Sequence, residues 1–255
     1  MTYMESIAEL AQLIAGSKNT VFFGGAGVST ESGIPDFRSE AGLYAAQQNY
    51  GHSPEELLSF SLFKRYPALF FRYYKENLIH RTARPNTAHL VLAEMEQAWN
   101  LQAVITQNID GLHQVAGSER VLELHGSNHR QYCMGCGARY DLDYILDTAN
   151  CNDSPIPVCS ICGSMVRPDV VLYEEGLDES VIRAAVQAIS NAELLIVGGT
   201  SLAVYPAAGL LQYFNGNSLV LLNKSETPAD QHAQLVIRNS IGEVLEKTLK
   251  TLGSL

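Results

Sequence analysis

The segment from Val21 to Ser39, VFFGGAGVSTESGIPDFRS, constrains the fold of this chain more than any other. It begins with β-branched and aromatic residues beside glycine, a pattern typical of a central strand in a parallel sheet. Gly25, Ala26 and Gly27 follow directly. Glycines without Cβ atoms let the backbone turn tightly and approach a pyrophosphate, whose charge is stabilised by free N–H groups at the start of the next helix. The segment therefore predicts a cofactor-binding turn.

The dinucleotide fingerprint G-x-G-x-x-G is incomplete here, because Thr30 occupies the third glycine position. A glycine turn that only closes a strand remains the alternative interpretation. The loop that follows favours binding, since Pro35 stiffens it and Asp36, Phe37 and Arg38 supply an acid, a ring and a guanidinium.

Length and composition narrow the class of protein. With 255 residues, 46% of them hydrophobic, the chain has enough apolar surface for one large core and a small satellite domain. The net charge of −10 and the absence of a Lys/Arg cluster argue against a nucleic-acid surface and suit basic protein partners. We find neither a signal-peptide pattern nor an apolar run of about 18 residues, so we expect a cytoplasmic protein without a membrane partner. Its five cysteines are then expected to be thiols or metal ligands.

Apolar residues near the N-terminus repeat at three and four residues and predict a helix that ends near Gly16. The repeating residues are Met4, Ile7, Leu10, Ala11 and Ile14. The stretch Ala41–Asn77 differs, because it is rich in Tyr, Phe and Leu and has a helix-start signal at Ser53-Pro54-Glu55-Glu56. It predicts an inserted helical module whose aromatic residues form its own core.

Elsewhere strands and helices alternate, which predicts an α/β fold with a parallel sheet. A helix from Pro85-Asn86 through Trp99, with Leu90, Leu92, Ala93 and Met95 on its apolar side, precedes strands Leu101–Ile105 and Val121–Leu124. The pattern stops between Cys133 and Cys162 and resumes at Val170. The later elements are strand Val170–Tyr173, a helix over about Asp178–Ser190, strand Leu194–Val197, a helix from Pro206, strand Leu219–Leu222, the apolar stretch Leu235–Ile237 and a final helix from Ile241 to about Leu252.

Polar residues follow several of these strands, where open α/β sheets place their ligands. The strand ending at Ile105 is followed by TQNIDGLH, and the strand ending at Leu124 by His125-Gly126. Gly199, Thr200 and Ser201 follow another strand, and Asn223-Lys224 the next. Small hydroxyl residues suit ribose or phosphate contacts and Asn suits an adenosine edge, although each could instead cap the following helix.

His125 stands out among the seven histidines. It should share one sheet edge with Asn108, Asp110 and the glycine turn, where an imidazole could act as a general base near neutral pH. The alternative is a core histidine whose nitrogens are satisfied by the backbone. His89 and His113 lie inside helical patterns and are interpreted in that second way.

Two C-x₂-C pairs, separated by 22 residues, predict a zinc site. Their members are Cys133, Cys136, Cys159 and Cys162. A redox pair or a chance arrangement remains the alternative. A zinc ion held by four protein sulfurs has no open position, so it should have a structural role. Cys151 has no evident partner and is interpreted as a bystander thiol.

The chain resembles the sirtuin family, as a bacterial-type single-domain member, over essentially its whole length. The resemblance rests on GAGVSTESGIPDFRS, TQNIDGLH, LELHGS, the paired cysteines, GGTSLAVYPAA and LLNKSETP in this order. It implies a Rossmann-like doubly wound large domain over 1–38, 84–127 and 169–255, and a small domain made of a helical module (39–83) and a zinc-binding module (128–168). NAD and an acetylated lysine of a protein or peptide would meet between them. The implied reaction transfers the acetyl group to ADP-ribose and releases nicotinamide and free lysine.

The resemblance also implies roles for individual residues. The cofactor loop would include Gly25, Ala26, Gly27, Thr30, Phe37 and Arg38, with ribose and nicotinamide contacts from Gln107, Asn108, Ile109 and Asp110. The adenosine side would include Gly199, Thr200, Ser201, Asn223, Lys224 and Ile241. His125 would be the catalytic base, assisted by Asn108 and Asp110, and the substrate backbone would pair near Val170, Val171 and Tyr173.

Two departures from the family pattern stand out. Gly24 occupies a position where the family usually has Thr, and Tyr173-Glu174-Glu175 replaces the usual Phe-Gly-Glu. Glu174 thus places a charged side chain where glycine is normal, beside the expected substrate strand. Glu174 leaves open an NAD-binding protein with little turnover. A mono-ADP-ribosyltransferase also remains open, because some family members resemble one in activity.

Overall fold

Nine strands are present in the computed structural model, which describes residues 1–36, 46–151 and 154–254. They are β1 Thr20–Gly24, β2 Leu101–Thr106, β3 Val121–Glu123, β4 Gly126–Cys133, β5 Arg139–Asp141, β6 Val166–Val170, β7 Leu194–Gly198, β8 Ser218–Leu222 and β9 Leu235–Ile237. Six of them form a parallel sheet in the order β3-β2-β1-β7-β8-β9. The strand order reverses between β1 and β7, as in a doubly wound Rossmann-like fold. The predicted fold class is therefore confirmed.

The helices are α1 Tyr3–Gly16, α2 Pro54–Leu57, α3 Phe60–Arg65, α4 Pro67–Asn77, α5 Thr87–Ala98, α6 Leu112–Ala116, α7 Leu142–Leu146, α8 Glu179–Asn191 and α9 Ile241–Leu252. Residues 46–50 are also helical. Short 3₁₀ turns cover Ala26–Val28, Thr30–Ser32, Thr148–Asn150, Ala207–Tyr213 and Asp230–His232. Within the described part of the chain, we find no helix whose length and apolar character would let it cross a bilayer.

The sheet is buried on both faces, which explains why its central strands are apolar without alternation. Phe22 and Ile196 point into a core shared with α1, α5 and α9. Phe23 and Val197 point into the opposite core, which α8 and the 3₁₀ turn Ala207–Tyr213 cover. The two cores hold the polar strand ends at one edge of a rigid layer.

Local capping signals set most helix boundaries. Asn86 caps α5 by accepting a hydrogen bond from the Ala88 N–H at 2.9 Å, and Asp178 caps α8. Two residues expected on apolar faces are instead exposed: Met4 at 59% and Leu90 at 53%. Each lies just outside the stripe of its helix that faces the sheet, so an apolar residue type did not ensure burial.

Three predicted elements need correction. The expected strand Val170–Tyr173 is β6, Val166–Val170, and it joins an antiparallel sheet of order β5-β4-β6 rather than the parallel sheet. Pairing with β4 determines the sheet to which β6 belongs, because the residue types of a strand do not specify its neighbouring strand. The helix expected from Pro206 is the 3₁₀ turn Ala207–Tyr213, and the turn after β1 leads into two 3₁₀ turns instead of an α-helix.

A third apolar core lies outside the large sheet. It combines aromatic residues of the helical segment, including Phe63, Phe70 and Tyr74, with residues of the cysteine-rich segment such as Cys133 and Val166. The aromatic residues thus form a core, as predicted, and they share it with the cysteine-rich segment.

The turns after β1 and β7 approach each other through glycine backbones. The Gly27 N–H donates to the Gly199 carbonyl at 2.8 Å. A Cβ atom on Gly27 would lie 2.7 Å from the Cα of Gly199, a distance that real Cβ contacts essentially never show. Glycine is required at this position because two backbones meet there.

We expect Gly27→Ala to lower the free energy of unfolding by about 1–3 kcal/mol, because the two turns must separate to admit the methyl group. Gly16→Ala is the matched control, since a Cβ atom there meets nothing within 4 Å. Urea unfolding followed by circular dichroism measures both. Equal stability of Gly27→Ala and the wild type would contradict the requirement.

Candidate active site

A cavity of about 420 Å³ opens at the carboxyl edge of the large sheet, where it meets the third core. The following predicted site residues line it: Ala26, Gln107, Asn108, Ile109, Asp110, His125, Val170, Val171 and Tyr173. Residues of the helical segment, including Leu58 and Leu78, form the opposite wall. The structure therefore brings the predicted catalytic and substrate residues into one cleft.

The other predicted site residues occupy different places. Those that the structure describes lie outside that cavity, at or next to the ends of β1, β7 and β8 and at the start of α9. These residues are Gly25, Gly27, Thr30, Gly199, Thr200, Ser201, Asn223, Lys224 and Ile241. A hydrogen bond of 3.1 Å from Gln107 Nε2 to Thr200 Oγ1 connects this group with the cleft. Phe37 and Arg38 fall outside the described residues.

His125 is oriented by a backbone carbonyl. Its Nδ1 lies 2.9 Å from the carbonyl oxygen of Gln107. A carbonyl oxygen only accepts hydrogen bonds, so Nδ1 carries the proton of the neutral imidazole and Nε2 keeps its lone pair. This contact fixes the orientation of the ring within the cleft.

A polar network behind His125 orients Asn108. Asn108 Nδ2 donates to the Gly25 carbonyl and to Ser29 Oγ, each at 3.0 Å. Ser29 Oγ in turn donates to Asp110 Oδ2 at 2.6 Å. Both amide hydrogens of Asn108 are thereby used within the chain, and its Oδ1 is left to accept a hydrogen bond from a ligand or water.

His89 and His113 form a buried pair behind this network, with ring centroids 4.7 Å apart. His89 Nδ1 accepts from the Asn86 N–H, and its Nε2 lies 3.5 Å from Ser29 Oγ. Burial lowers the pKa of His89, and burial together with His89 lowers the pKa of His113 to about 3. Both imidazoles are neutral, and the nitrogens of His113 have no partner among the described residues, unlike those of the expected backbone-satisfied core histidine.

The segment after β6 is held close to His125. The Val171 N–H donates to the His125 carbonyl at 3.0 Å. Farther along, Glu175 accepts two hydrogen bonds from Arg167, at 2.7 and 2.8 Å, and one from the Leu172 N–H. Although burial acts in the opposite direction, these bonds lower the pKa of Glu175. This carboxylate fixes the loop onto its own strand.

The four paired cysteines form a cluster. Their Sγ atoms all lie within 4.8 Å of one another, with 3.4 Å between Cys133 and Cys162 and 3.6 Å between Cys136 and Cys159. A tetrahedral zinc ion with bonds of about 2.3 Å requires sulfurs about 3.8 Å apart, so the thiolates present fit zinc. Cys151 lies outside the cluster, 3.7 Å from Lys75 Nζ. The four predicted cysteines are therefore positioned to bind one zinc ion.

Comparison with known proteins identifies the family. The Sir2 family model matches residues 25–206 of the chain. The chain belongs to the Sir2 family. It is 55% identical to an NAD-dependent protein deacetylase of Clostridium acetobutylicum over 98% of this chain and all of that protein. The inferred sirtuin resemblance is confirmed.

Solved structures of the Sir2 family share the fold. One, described as Sir2 with a p53 peptide and NAD⁺, has a TM-score of 0.85 and 38% identity and covers 97% of this chain and 98% of that chain. Another, described as Sir2 bound to an acetylated peptide, has a TM-score of 0.86 and 36% identity and covers 97% and 98%.

Sequence reasoning missed three polar residues: Ser29 and Asn128, which line the cleft, and Arg167, which binds the cleft residue Glu175. Ser29 is 1% exposed although it follows a glycine turn, and Asn128 joins the Tyr74 hydroxyl to the Leu78 carbonyl. Arg167 is 4% exposed and stacks on Phe63. For Ser29, the sequence did offer a signal, which is its position just after the glycine turn Gly25 to Gly27. Asn128 and Arg167 carry no local pattern, because their partners are distant in sequence.

We expect Cys133→Ser or Cys159→Ser to lose zinc and to unfold the cysteine-rich segment, because the metal supplies much of the folding free energy of so small a unit. Metal analysis and thermal unfolding measure both effects. Cys151→Ser is the control and should retain one zinc per chain, since its sulfur is outside the cluster. A Cys133→Ser protein with full zinc content and an unchanged Tm would contradict the assignment.

Proposed function

We propose that this protein is an NAD-dependent protein lysine deacetylase that transfers the acetyl group to ADP-ribose and releases nicotinamide and free lysine. The observation that carries the proposal is the contact of His125 Nδ1 with the Gln107 carbonyl inside the cleft, which would make Nε2 the basic nitrogen of the ring. Family membership and deacetylase relatives of up to 55% identity support it.

We propose that NAD occupies the sheet edge from the glycine turn to α9. Ala26, Gln107, Asn108 and Asp110 would contact it inside the cleft, and Gly199 to Ser201, Asn223, Lys224 and Ile241 would hold its adenosine side. NAD supplies the ADP-ribosyl group that receives the acetyl group. The backbone contact between Gly27 and Gly199 holds the turns after β1 and β7 together at this edge.

In the proposed mechanism, each polar group of the chain has a separate task. His125 Nε2 accepts a proton from a ribose hydroxyl, which is general base catalysis by a neutral imidazole. Asn108 Oδ1 orients a hydroxyl or water, because its amide hydrogens are already committed to Gly25 and Ser29. Asp110 retains lone pairs for the nicotinamide amide, although each of its oxygens already accepts a bond within the chain.

The acetyl-lysine peptide is proposed to lie along the segment Val170–Tyr173. The Val171 N–H donates to the His125 carbonyl, and the Val171 carbonyl accepts no hydrogen bond from the described residues. This carbonyl would receive the acyl-lysine N–H. The backbone of Tyr173 pairs instead with Leu58 and Phe60, so this residue would contribute its side chain.

We also propose the division into a large domain (1–38, 84–127 and 169–255) and a small domain made of 39–83 and 128–168. The separate third core, which combines the helical and cysteine-rich segments, supports it. Cytoplasmic location is proposed from cysteine use, since all five thiols are free of disulfides.

One assay separates the candidate functions. Mass spectrometry of an acetyl-lysine peptide incubated with the enzyme and NAD should show loss of acetyl and formation of O-acetyl-ADP-ribose. A transferase would add ADP-ribose to protein, and an NAD-binding protein with little turnover would change nothing. Either of these two results would refute the proposal.

We expect His125→Ala to reduce deacetylation by about 10²–10⁴-fold while NAD affinity stays within about tenfold, because the imidazole acts in proton transfer. Steady-state kinetics and calorimetric NAD titration measure the two quantities. His232→Ala, which removes an exposed imidazole on the 3₁₀ turn Asp230–His232, is the control. Full activity of His125→Ala would exclude it as the base.

We expect neutral acyl groups to be removed far faster than succinyl groups. Sirtuins that prefer succinyl- or malonyl-lysine resemble one another in a Tyr-x-x-Arg pair, and none of the tyrosines in the helical module, Tyr44, Tyr50, Tyr66, Tyr73 and Tyr74, is followed three residues later by Arg. Tyr44 itself lies outside the described residues. Arg72 of this segment contacts Glu76 and the Tyr50 ring rather than the cavity, so burying a succinyl carboxylate would cost several kcal/mol.

The measurement is kcat/KM on one peptide bearing either acetyl or succinyl. Arg81 and Arg84 line the outer cavity, but Arg81 is paired with Asp143 at 2.8 Å and Arg84 donates to backbone carbonyls. Equal kcat/KM values for the two peptides would contradict the expectation. If Arg84→Ala then lost activity on the succinylated peptide alone, Arg84 would be identified as the cation that binds the succinyl carboxylate.

A further inference from the structure

Glu174 adopts a backbone conformation that its residue type disfavours. Its φ is +76°, and among the described residues only Asn100 and Leu202 are other non-glycine residues with positive φ. A left-handed conformation is less favourable for an L-residue than the right-handed one, because Cβ approaches the following carbonyl oxygen. Glycine at this position would not meet this penalty, because it has no Cβ. Some contact of the Glu174 side chain must therefore offset it.

That contact is with the first turn of α3. The N–H and the hydroxyl of Ser61 both donate to Glu174 Oε2, at 2.8 and 2.6 Å. Hydrogen bonds to a carboxylate are stronger than those between neutral groups. Among the described residues, no cation forms an ion pair with Glu174, so these two neutral donors are what holds the side chain.

The neighbouring backbone is joined to the same part of the chain. The Tyr173 N–H donates to the carbonyl of Leu58, just before α3, and the Phe60 N–H donates to the Tyr173 carbonyl, each at 3.0 Å. Together with the Ser61 bonds, four hydrogen bonds connect residues 173–174 to residues 58–61. Glu175 does not contribute to this connection, because its carboxylate binds Arg167 and the Leu172 N–H.

The connected loop borders the cleft. Val171, Tyr173 and Glu174 all line the cavity, and the Val171 N–H binds the carbonyl of His125. A displacement of the loop relative to α3 would thus move the edge along which a peptide is proposed to lie. It would leave the glycine turn and the ends of β7 and β8 in place, since those belong to the large sheet.

We propose that Glu174 is a positioning residue for the peptide substrate, which fastens the loop 171–175 to α3 through Ser61 and so sets the width of the peptide-binding edge. This inference rests on the proposed deacetylase function. With glycine at this position, only the backbone hydrogen bonds of Tyr173 would hold the loop at residues 58–60, whereas Glu174 adds the side-chain contact with Ser61. A peptide with residues on both sides of the acetyl-lysine uses that edge, whereas a substrate without flanking residues does not.

Three substitutions separate the contact from other effects. Glu174→Gln keeps the side-chain length and an acceptor oxygen. Glu174→Asn tolerates the left-handed backbone but is one methylene too short to keep the contact with Ser61. Glu174→Gly removes the side chain and relieves the backbone strain, so all three variants should fold.

For a ten-residue acetylated peptide, we expect the KM of Glu174→Gly and Glu174→Asn to rise by about tenfold, the ratio that corresponds to one net hydrogen bond to a charged group. Their kcat and their KM for NAD should change by less than about twofold, because His125 and the NAD edge are untouched. The Glu174→Gln variant should stay within about threefold of the wild type, since it retains the acceptor. For acetyl-lysine amide without flanking residues, all variants should match the wild type.

Ser61→Ala removes one of the two donors and should raise the peptide KM by a smaller factor. The double variant Glu174→Gly with Ser61→Ala should be no worse than Glu174→Gly, because both changes break the same contact. An unchanged peptide KM in Glu174→Gly would overturn the proposal. So would an equal loss for acetyl-lysine amide, which would indicate general damage to the cleft.

The outcome is separable from the fate of the proposed function. If the wild type releases no acetyl group, the deacetylase proposal fails. The Kd of the same acetylated peptide, measured by fluorescence anisotropy with each variant, still tests Glu174 because it does not depend on turnover. A peptide Kd that is the same in Glu174→Gly and the wild type would refute the positioning role on its own.

Discussion

The contact between the turns after β1 and β7 is the constraint on which the site depends. Gly27 and Gly199 touch through their backbones, with a hydrogen bond of 2.8 Å between them. This contact lies at the point where the strand order of the sheet reverses, and it carries Ala26 and Ser29 on one side and Thr200 on the other. Since β2 is the other neighbour of β1, its polar end reaches the same place. The cleft thus follows from strand order and from two residues without side chains.

The polar groups at this edge largely satisfy one another before any ligand is bound. Ser29 is the centre of the network, because its hydroxyl accepts from Asn108 and donates to Asp110. The buried, neutral imidazole of His89 lies beside the same hydroxyl. A network whose members are already oriented needs little reorganisation during a reaction. Among the described residues, what it leaves to accept a hydrogen bond is the Oδ1 atom of Asn108.

Two adjacent carboxylates hold the loop beside the cleft in different directions. Glu175 binds the buried guanidinium of Arg167, which keeps the loop on β6. Glu174 binds Ser61 and keeps the same loop against α3. The loop is therefore tied both to the cysteine-rich sheet and to the helical segment. Those two segments also share the third apolar core, so the loop follows the position of that unit as a whole.

Local patterns were sufficient to predict much of this protein. The central strands, the helix Ile241–Leu252 and the four clustered cysteines are found where the sequence places them. His125 and Asn108 do meet in one cleft. Each of these features has a sequence pattern within a few residues: an apolar run, a helical period, a C-x₂-C spacing, or polar residues directly after a strand.

Only the tertiary structure decided the remaining features. The sheet to which Val166–Val170 belongs, the burial of Ser29 and the partner of Glu174 all depend on contacts between distant segments. Ser61 and Glu174 lie 113 residues apart, and no period or spacing connects them in the sequence. By itself, the sequence determined which segments form strands, helices and a metal cluster, because those follow from neighbouring residues. Which of these segments meet was decided by packing in three dimensions, because a hydrogen bond between distant residues leaves no trace in the local pattern of either.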